Sequence, residues 1–394
     1  VTAQEIFDVV VVGGGPCGAT AADDLARRGR KVLLLDRGGR VKPCGGAIPP
    51  RLIRDFEIPD HLLRARVNSA RMVSPKALSV DMPINGGGYV GMVDREDFDE
   101  WLRRRAAQSG ATRRSGQYQN ITRDADGVAT VHFRPKDGTQ DARVRARLVI
   151  GADGALSAVG RQEVAGADKT RFVFAYHEII RSPRADAESK RCEIHYRGTL
   201  SPDFYAWIFP HGDTMSVGTG SAQKGFSLKS SVRDLRALTG LDEVETIRRE
   251  GAPIPLKPLR RWDNGRDVLL AGDAAGIVAP ASGEGIYYAM LGGRLSADAA
   301  DEFLRSGDAR ALATARKRFM KAHGSVFWIL GIMQYFWYRN DKRRERFVKI
   351  CRDPDVQRLT WESYMNKELV RSDPMAHVRI FFKDLAHLFR LAPT

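Results

Sequence analysis

Apolar positions along this chain change period from segment to segment. FDVVVV, Phe7 to Val12, is an unbroken apolar and β-branched run, the pattern of a parallel strand buried on both faces. The glycine turn GGGPCG follows, then the alanines and leucine of Ala19 to Gly29 predict a helix, and KVLLLD predicts a second buried strand. Strand, helix and strand in this order form a βαβ unit. Residues 66–93 set short alternating runs between prolines and glycines and predict hairpin strands. Asp94 to Ser109 places Phe98, Trp101 and Leu102 on one helical face. Strands are predicted at 128–134 and 143–150, and from 171 to 221 aromatic and β-branched residues alternate with polar ones, as in a half-exposed antiparallel sheet. Gly265 to Gly285 returns to a buried strand, DVLLAGDAAG, before a helix beginning near Glu284. Beyond it the periodicity is helical to the end of the chain.

The organisation this predicts is interleaved. A dinucleotide-binding domain of Rossmann-like α/β type is drawn from 1–65, 94–160 and 262–305. An antiparallel-sheet substrate domain is drawn from 66–93 and 161–261, which makes the whole a mixed α/β and α+β chain, and 306–394 forms a C-terminal helical region.

Composition narrows the picture. With 394 residues, 43% hydrophobic and 28% charged, the chain can bury a sizeable core, which excludes a disordered protein or a disulfide miniprotein. Lys and Arg number 63 against 48 Asp and Glu, a formal charge of +15, which suits phosphorylated cofactors or anionic lipid head groups. The bases are dispersed without a Lys/Arg tract, so nucleic-acid binding is not expected. Cys17, Cys44, Cys192 and Cys351 lie far apart with no CxxC pair, so neither a metal site nor a disulfide framework is expected, and a reducing cytoplasmic compartment fits. The chain enters its first strand with no charged leader, so no signal peptide is read. No stretch approaches the roughly 18 apolar residues of a membrane span. The nearest, Val326 to Tyr338, contains Gly331 and Gln334, and the bases Arg339, Lys342, Arg343, Arg344 and Arg346 follow it. That segment suits either an interfacial helix on anionic lipid or a helix packed on the fold.

Three glycine motifs carry the chemistry. Gly13-x-Gly15-x-x-Gly18 follows a strand and opens a helix. Gly13 permits the tight turn, Gly15 lets backbone approach a pyrophosphate, and Gly18 allows close helix–strand packing. Asp36 ends the next strand, where its carboxylate can accept hydrogen bonds from adenosine ribose hydroxyls, and Arg37 beside it is counted with the cofactor residues. An acidic residue there favours FAD or NAD over NADP at this site. The second motif is Gly151-Ala152-Asp153-Gly154-x-x-Ser157, and the third is Gly272-Asp273-Ala274-Ala275-Gly276, each after a buried strand.

Taken together in this order, the three resemble the fingerprints of flavoproteins with the para-hydroxybenzoate hydroxylase type of fold. The resemblance implies FAD, with Asp273 on its ribityl chain, Asp153 and Gly154 near FAD and NADPH, and Arg95 near the cofactor phosphates. Only one complete GxGxxG is present, so NADPH is expected to bind without a second Rossmann domain. Aromatic hydroxylases continue the third motif as GDAAHxxxPxxGxGxN. Here Pro280, Gly283 and Gly285 agree, but Gly276 and Tyr287 replace His and Asn, which argues against a monooxygenase.

That departure is similar to geranylgeranyl reductases, and two further segments resemble the same family. Lys42-Pro43-Cys44-Gly45-Gly46 resembles its PCGG segment beside the flavin, and Tyr205-x-Trp207-x-Phe209-Pro210 with Gly218-x-Gly220 resembles its YxWxFP…GxG substrate motif. KPCGGAIPPRLIRDFEIPD, GMVDREDFDEWLR and DKRRERFVKICRDPDVQRLTWESYMNKELV are similar to the bacteriochlorophyll and chlorophyll branch. This implies NADPH-dependent saturation of three double bonds of a geranylgeranyl chain to phytyl, on the tetrapyrrole ester or the diphosphate. It also implies a location at the cytoplasmic face of a photosynthetic membrane. Cys44 is then the catalytic candidate, as proton donor or as a shaper of the cavity, with Gly45 and Gly46 allowing close approach to the flavin ring. Tyr205, Trp207, Phe209, Pro210 and Gly218 are the substrate candidates, and alternation places the three aromatics on one face of a strand. Cys17 reads as packing, and His177, His195 and His211 as satisfied or exposed histidines. A prenyl-lipid or prenyl-quinone reductase, a flavin monooxygenase and a non-enzymatic flavin-bearing membrane protein are the alternatives.

Overall fold

The first apolar run forms the strand Ile6–Val12 in the computed structural model, which describes residues 5–38, 41–138, 140–183 and 190–367. It lies between Val32–Asp36 on one side and Ala142–Gly151 on the other, all parallel. Thr112–Arg123 extends the sheet beyond Val32–Asp36, and Val268–Leu270 extends it beyond Ala142–Gly151. Ile6–Val12, Val32–Asp36 and Val268–Leu270 are almost wholly apolar and buried, as strands covered on both faces require. Thr112–Arg123 and Ala142–Gly151 are longer than the sheet. Their other halves pair antiparallel with Ala129–Pro135 between them, so one pair of strands serves two layers. The strand Thr112–Arg123 was not predicted: TRRSGQYQNITR buries only two of its residues and carries no apolar run.

Two compact units are distinguished, each discontinuous in sequence. The first contains this sheet and is drawn from the chain up to Lys42, Arg95–Phe172 and Pro253–Phe327. The second is drawn from Pro43–Asp94, Val173–Ala252 and the chain from Trp328 onward. Two differences from the sequence expectation have physical causes. Residues 43–65 join the second unit because Ala47–Ile48 and Leu63–Val67 both pair with Val90–Val93. The C-terminal region is divided: Phe319 and Phe327 pack on Tyr288 in the first unit, and Tyr338 packs on Tyr196 in the second. The remainder of that region beyond Lys367 lies outside the described residues.

The second unit is built on a seven-stranded sheet with Thr214–Ser221 paired to Phe172–Arg181 on one side and to Ala206–His211 on the other. It is antiparallel except where Arg191–His195 meets Ser69–Val73. Its central strands are buried on both faces rather than half-exposed. Ala206, Ile208, Met215 and Val217 point to a core shared with Val232 and Leu235 of the helix Leu228–Leu238. The opposite face carries Tyr205, Trp207 and Phe209. Among the described residues no helix is long and apolar enough to cross a membrane.

Candidate functional site

All three glycine motifs leave the same carboxyl edge of the parallel sheet, on neighbouring strands. In open α/β sheets this edge, where strand order reverses, is where ligands bind. A side chain on Gly13 would stand 2.3 Å from the Ala152 carbonyl oxygen, and one on Gly18 would stand 1.9 Å from the carbonyl oxygen of Gly13. The first turn is thereby pressed against the second motif. Gly15 differs: no atom lies within 4 Å of where its Cβ would stand, at the head of the helix Pro16–Arg27. Cys17 closes the set, because a Cβ on Gly272 would stand 2.8 Å from its own Cβ. Burial pushes the Cys17 thiol up, so it packs two motifs together and is no nucleophile.

The carboxylates in this edge have different tasks. Asp36 accepts from Gly14 N at 2.9 Å and from Gly38 N at 2.8 Å, one bond to each oxygen. That fixes its plane, and each oxygen keeps a further lone pair. Arg37 is exposed. Asp153 turns inward, accepting from Ala158 N at 2.7 Å and Val159 N at 3.2 Å, and it also bonds Ser157. It therefore holds the first two N–H groups of the helix Ala158–Glu163, whose N-cap is Ser157, and burial raises its carboxyl. Gly154 follows it in an open turn. Arg95, expected near phosphates, is buried and forms a two-pronged ion pair with Asp99 at 2.8 and 2.7 Å. Asp273 is buried at the edge and forms an ion pair with Lys42. Gly285 heads the helix Ile286–Ser306, after a turn in which Gly283 N donates to Ala279 O at 2.9 Å beside the buried Pro280. Gly276 has φ +77°, and its Cβ would stand 2.3 Å from the Lys257 carbonyl oxygen. A histidine cannot occupy that position, which explains the departure from the hydroxylase motif.

These residues fit an FAD. The open backbone at Gly15 and the helix start behind it suit a pyrophosphate, Asp36 suits ribose hydroxyls, and Asp273 suits a ribityl chain.

The second unit assembles the other two motifs into one cluster. A Cβ on Gly45 would stand 2.8 Å from Phe209 Cδ2, and one on Gly46, at φ +71°, would stand 2.6 Å from His211 Cε1. The Gly45 carbonyl lies 3.0 Å from His211 Nε2, and Val93 N donates to Gly46 O at 2.9 Å. His211 is pushed down to about 4, first by burial and further by His177 and Arg248, against the opposing pull of the Gly45 carbonyl and Asp94. It is thus neutral near pH 7 and serves as the donor to Gly45. The Cys44 thiol accepts from Gly46 N at 3.4 Å. Cys44 is half-buried, whereas Cys17, Cys192 and Cys351 are buried. Trp207 lies between Tyr205 and Phe209, with ring centroids 6.0 and 6.2 Å away, Pro210 is buried next to them, and Gly218 leaves room for the indole. His211 was missed as a site residue, although it continues the alternation Tyr205, Trp207, Phe209 by one step.

The parallel sheet with three glycine motifs at one edge defines an FAD-binding flavoprotein, and residues 7–317 match the FAD binding domain family. A geranylgeranyl diphosphate reductase of Rhodobacter capsulatus is 57% identical over 98% of this chain and 98% of its own length. One from Synechocystis is 35% identical over 98% of this chain and 100% of its own. A geranylgeranyl bacteriochlorophyll reductase-like structure from Thermoplasma acidophilum shares the fold, with TM-score 0.81, 22% identity and coverage of 95% of this chain and 100% of that one. This chain belongs to the geranylgeranyl diphosphate reductase family of flavin oxidoreductases.

Proposed function

We propose that this flavoprotein uses NADPH to saturate three double bonds of a geranylgeranyl chain, yielding phytyl, on a geranylgeranylated (bacterio)chlorophyllide ester or on the diphosphate. The observation that carries the reading is the contact between the PCGG loop and the aromatic strand, through Gly45 on Phe209 and His211 on the Gly45 carbonyl. An isolated trisubstituted alkene is neither polarised nor acidic. Each saturation breaks one π bond and forms two C–H bonds, one from a hydride and one from a proton. Reduced FAD, when bound, supplies the hydride. Gly13, Gly15, Gly18 and Asp36 hold the adenosine side of the cofactor and Asp273 the ribityl side. Cys44 gives the proton to the less substituted alkene carbon and regains one from solvent, and the hydride goes to the tertiary carbon. Tyr205, Trp207 and Phe209 line the chain and offer π-faces to positive charge developing at the tertiary carbon.

The test is an anaerobic reaction of the purified yellow protein with geranylgeranyl bacteriochlorophyllide and NADPH in detergent, followed by pigment mass. Successive gains of two hydrogens ending at the phytyl ester are expected. Flavin bleached by NADPH without pigment gain would move the substrate to the diphosphate or to another prenyl lipid.

The membrane reading rests on the helix Ala313–Trp337, whose aromatic end is divided between two faces. Trp337 and Phe327 are buried, while Trp328, Ile332 and Tyr335 are 69%, 46% and 71% exposed. The exposed three recur with helical spacing, and Arg339 lies 5.9 Å from the Tyr335 ring. Arg344, one of the bases that follow the segment, is buried and bonds Tyr338 O, Pro202 O and Asp341. Exposed Arg339 and Lys342 remain for anionic head groups. Co-sedimentation with phosphatidylglycerol vesicles is expected, and weaker sedimentation with phosphatidylcholine. A Trp328→Ser, Tyr335→Ser double variant should bind roughly tenfold less tightly; unchanged sedimentation would remove this face from the membrane.

A further inference from the structure

Behind the aromatic strand lies a chain of polar groups, buried at Ser216 and His177 and partly buried at Glu250 and Arg248, that the cofactor and the Cys44 chemistry do not use. Trp207 Nε1 donates to Ser216 Oγ at 3.1 Å. Ser216 Oγ lies 2.8 Å from His177 Nδ1, and His177 Nε2 lies 3.1 Å from Glu250 Oε2. The other Glu250 oxygen, Oε1, is 2.5 Å from Arg248 Nε. The four residues stand on four different strands of the seven-stranded sheet. Strand register brings them together: Gly218 pairs with Trp207 on one side and with His177 on the other. Its absent side chain makes the passage, since a Cβ there would stand 2.3 Å from Trp207 Cζ2 and 2.6 Å from His177 Cβ.

The protons of this chain are determined by its chemistry. A serine hydroxyl has one proton and two lone pairs. Having accepted from the indole, Ser216 gives its proton to His177 Nδ1, which leaves the Nε2 proton facing the Glu250 carboxylate. Every donor then meets an acceptor. Serine, histidine and a carboxylate also form nucleophilic triads, but Ser216 has no exposed surface and its oxygen is engaged by the indole, so no substrate carbonyl can reach it.

We propose that Ser216, His177 and Glu250 are positioning residues that fix the tilt of the Trp207 indole, and that this tilt sets how far along the isoprenoid chain reduction proceeds. The first half stands on the hydrogen bonds; the second rests on the geranylgeranyl reductase reading above. The indole is the middle of three rings, edge-on to Tyr205 at 66° and tilted 35° from Phe209. Rotating it reshapes the apolar wall on both sides.

The test compares Ser216→Ala, Trp207→Phe and the double variant with the parent holoenzyme, using two readouts. Near-ultraviolet circular dichroism reports the asymmetry of Trp207 without any substrate. Pigment mass reports the ratio of partly to fully reduced product. Ser216→Ala is expected to change the near-ultraviolet band and raise the partly reduced fraction at least fivefold while flavin content stays at the parent level. In the Trp207→Phe background, where no indole N–H needs an acceptor, the same substitution is expected to change neither readout further. Glu250→Leu should move both readouts in the direction of Ser216→Ala, and Glu250→Gln, which keeps an oxygen facing His177, should restore them. A parent-like band in Ser216→Ala, or an undiminished effect in the Trp207→Phe background, would overturn the lock. A changed band with an unchanged product ratio would overturn the link to chain reduction. Failure of the parent itself to reduce the pigment chain would instead count against the substrate reading, and the dichroism would still decide the lock.

Discussion

Asp273→Ala protein is expected to purify with less than roughly a tenth of the flavin per chain carried by the parent, because a hydrogen bond to a charged group contributes about 1.5–3 kcal/mol. That range corresponds to about ten- to a hundredfold or more in affinity. Unfolding is not the expected cause of the loss. Lys42, the partner of Asp273, has a side chain 39% exposed and can turn to solvent, and an ion pair with one such exposed member contributes little. The ratio of flavin to protein absorbance, measured beside a thermal melt, separates the two effects. Full flavin occupancy with an unchanged melt would show that Asp273 holds Lys42 and not the cofactor.

The second large effect belongs to Cys44. Replacing it with serine keeps the size of the side chain and offers a far poorer acid. Removing a positioned proton donor typically costs 10²–10⁴ in rate, so Cys44→Ser is expected to slow alkene reduction by about a hundredfold or more. Flavin content and the rate of flavin bleaching by NADPH should stay at the parent values, since Cys44 belongs to no glycine motif of the first unit. Parent-like turnover in the serine variant would reduce Cys44 to a small apolar residue of its loop and leave the proton to another group.

What could be read from the sequence was what the backbone demands. Glycines at 13, 18 and 272 answer to contacts that no side chain permits, and such requirements leave a fixed spacing in the sequence. Buried parallel strands are equally legible, since both of their faces must be apolar. The strand Thr112–Arg123 is not, because a strand at the margin of two layers can be almost wholly polar. The strand Thr246–Pro255 escaped for a related reason, with alternation blurred by Arg and Glu; the helix Leu228–Leu238 also escaped, although Val232 and Leu235 recur at helical spacing on its buried face. The group formed by Trp207, Ser216, His177 and Glu250 could not be seen at all. Its members are single polar residues on different strands, and only register makes them neighbours. Arg344 shows the converse: its charge left open a place on lipid or on the fold, and it is buried against Asp341 and backbone carbonyls of its own unit.

The three-segment construction of the first unit also governs how the protein is made. Its opening strand and glycine turn leave the ribosome first, but their neighbour Val268–Leu270 and the glycine that Cys17 packs against come from the last third of the described chain. The nascent first motif therefore waits, without its closing contacts, while the whole second unit's central sheet is synthesised. Contacts so distant in sequence close slowly, and the exposed apolar strands of the waiting segment are targets for aggregation. With Asp273 and Gly285 in the cofactor role proposed above, flavin capture would follow release of both from the ribosome, a late event in biogenesis and one that chaperone supply can limit.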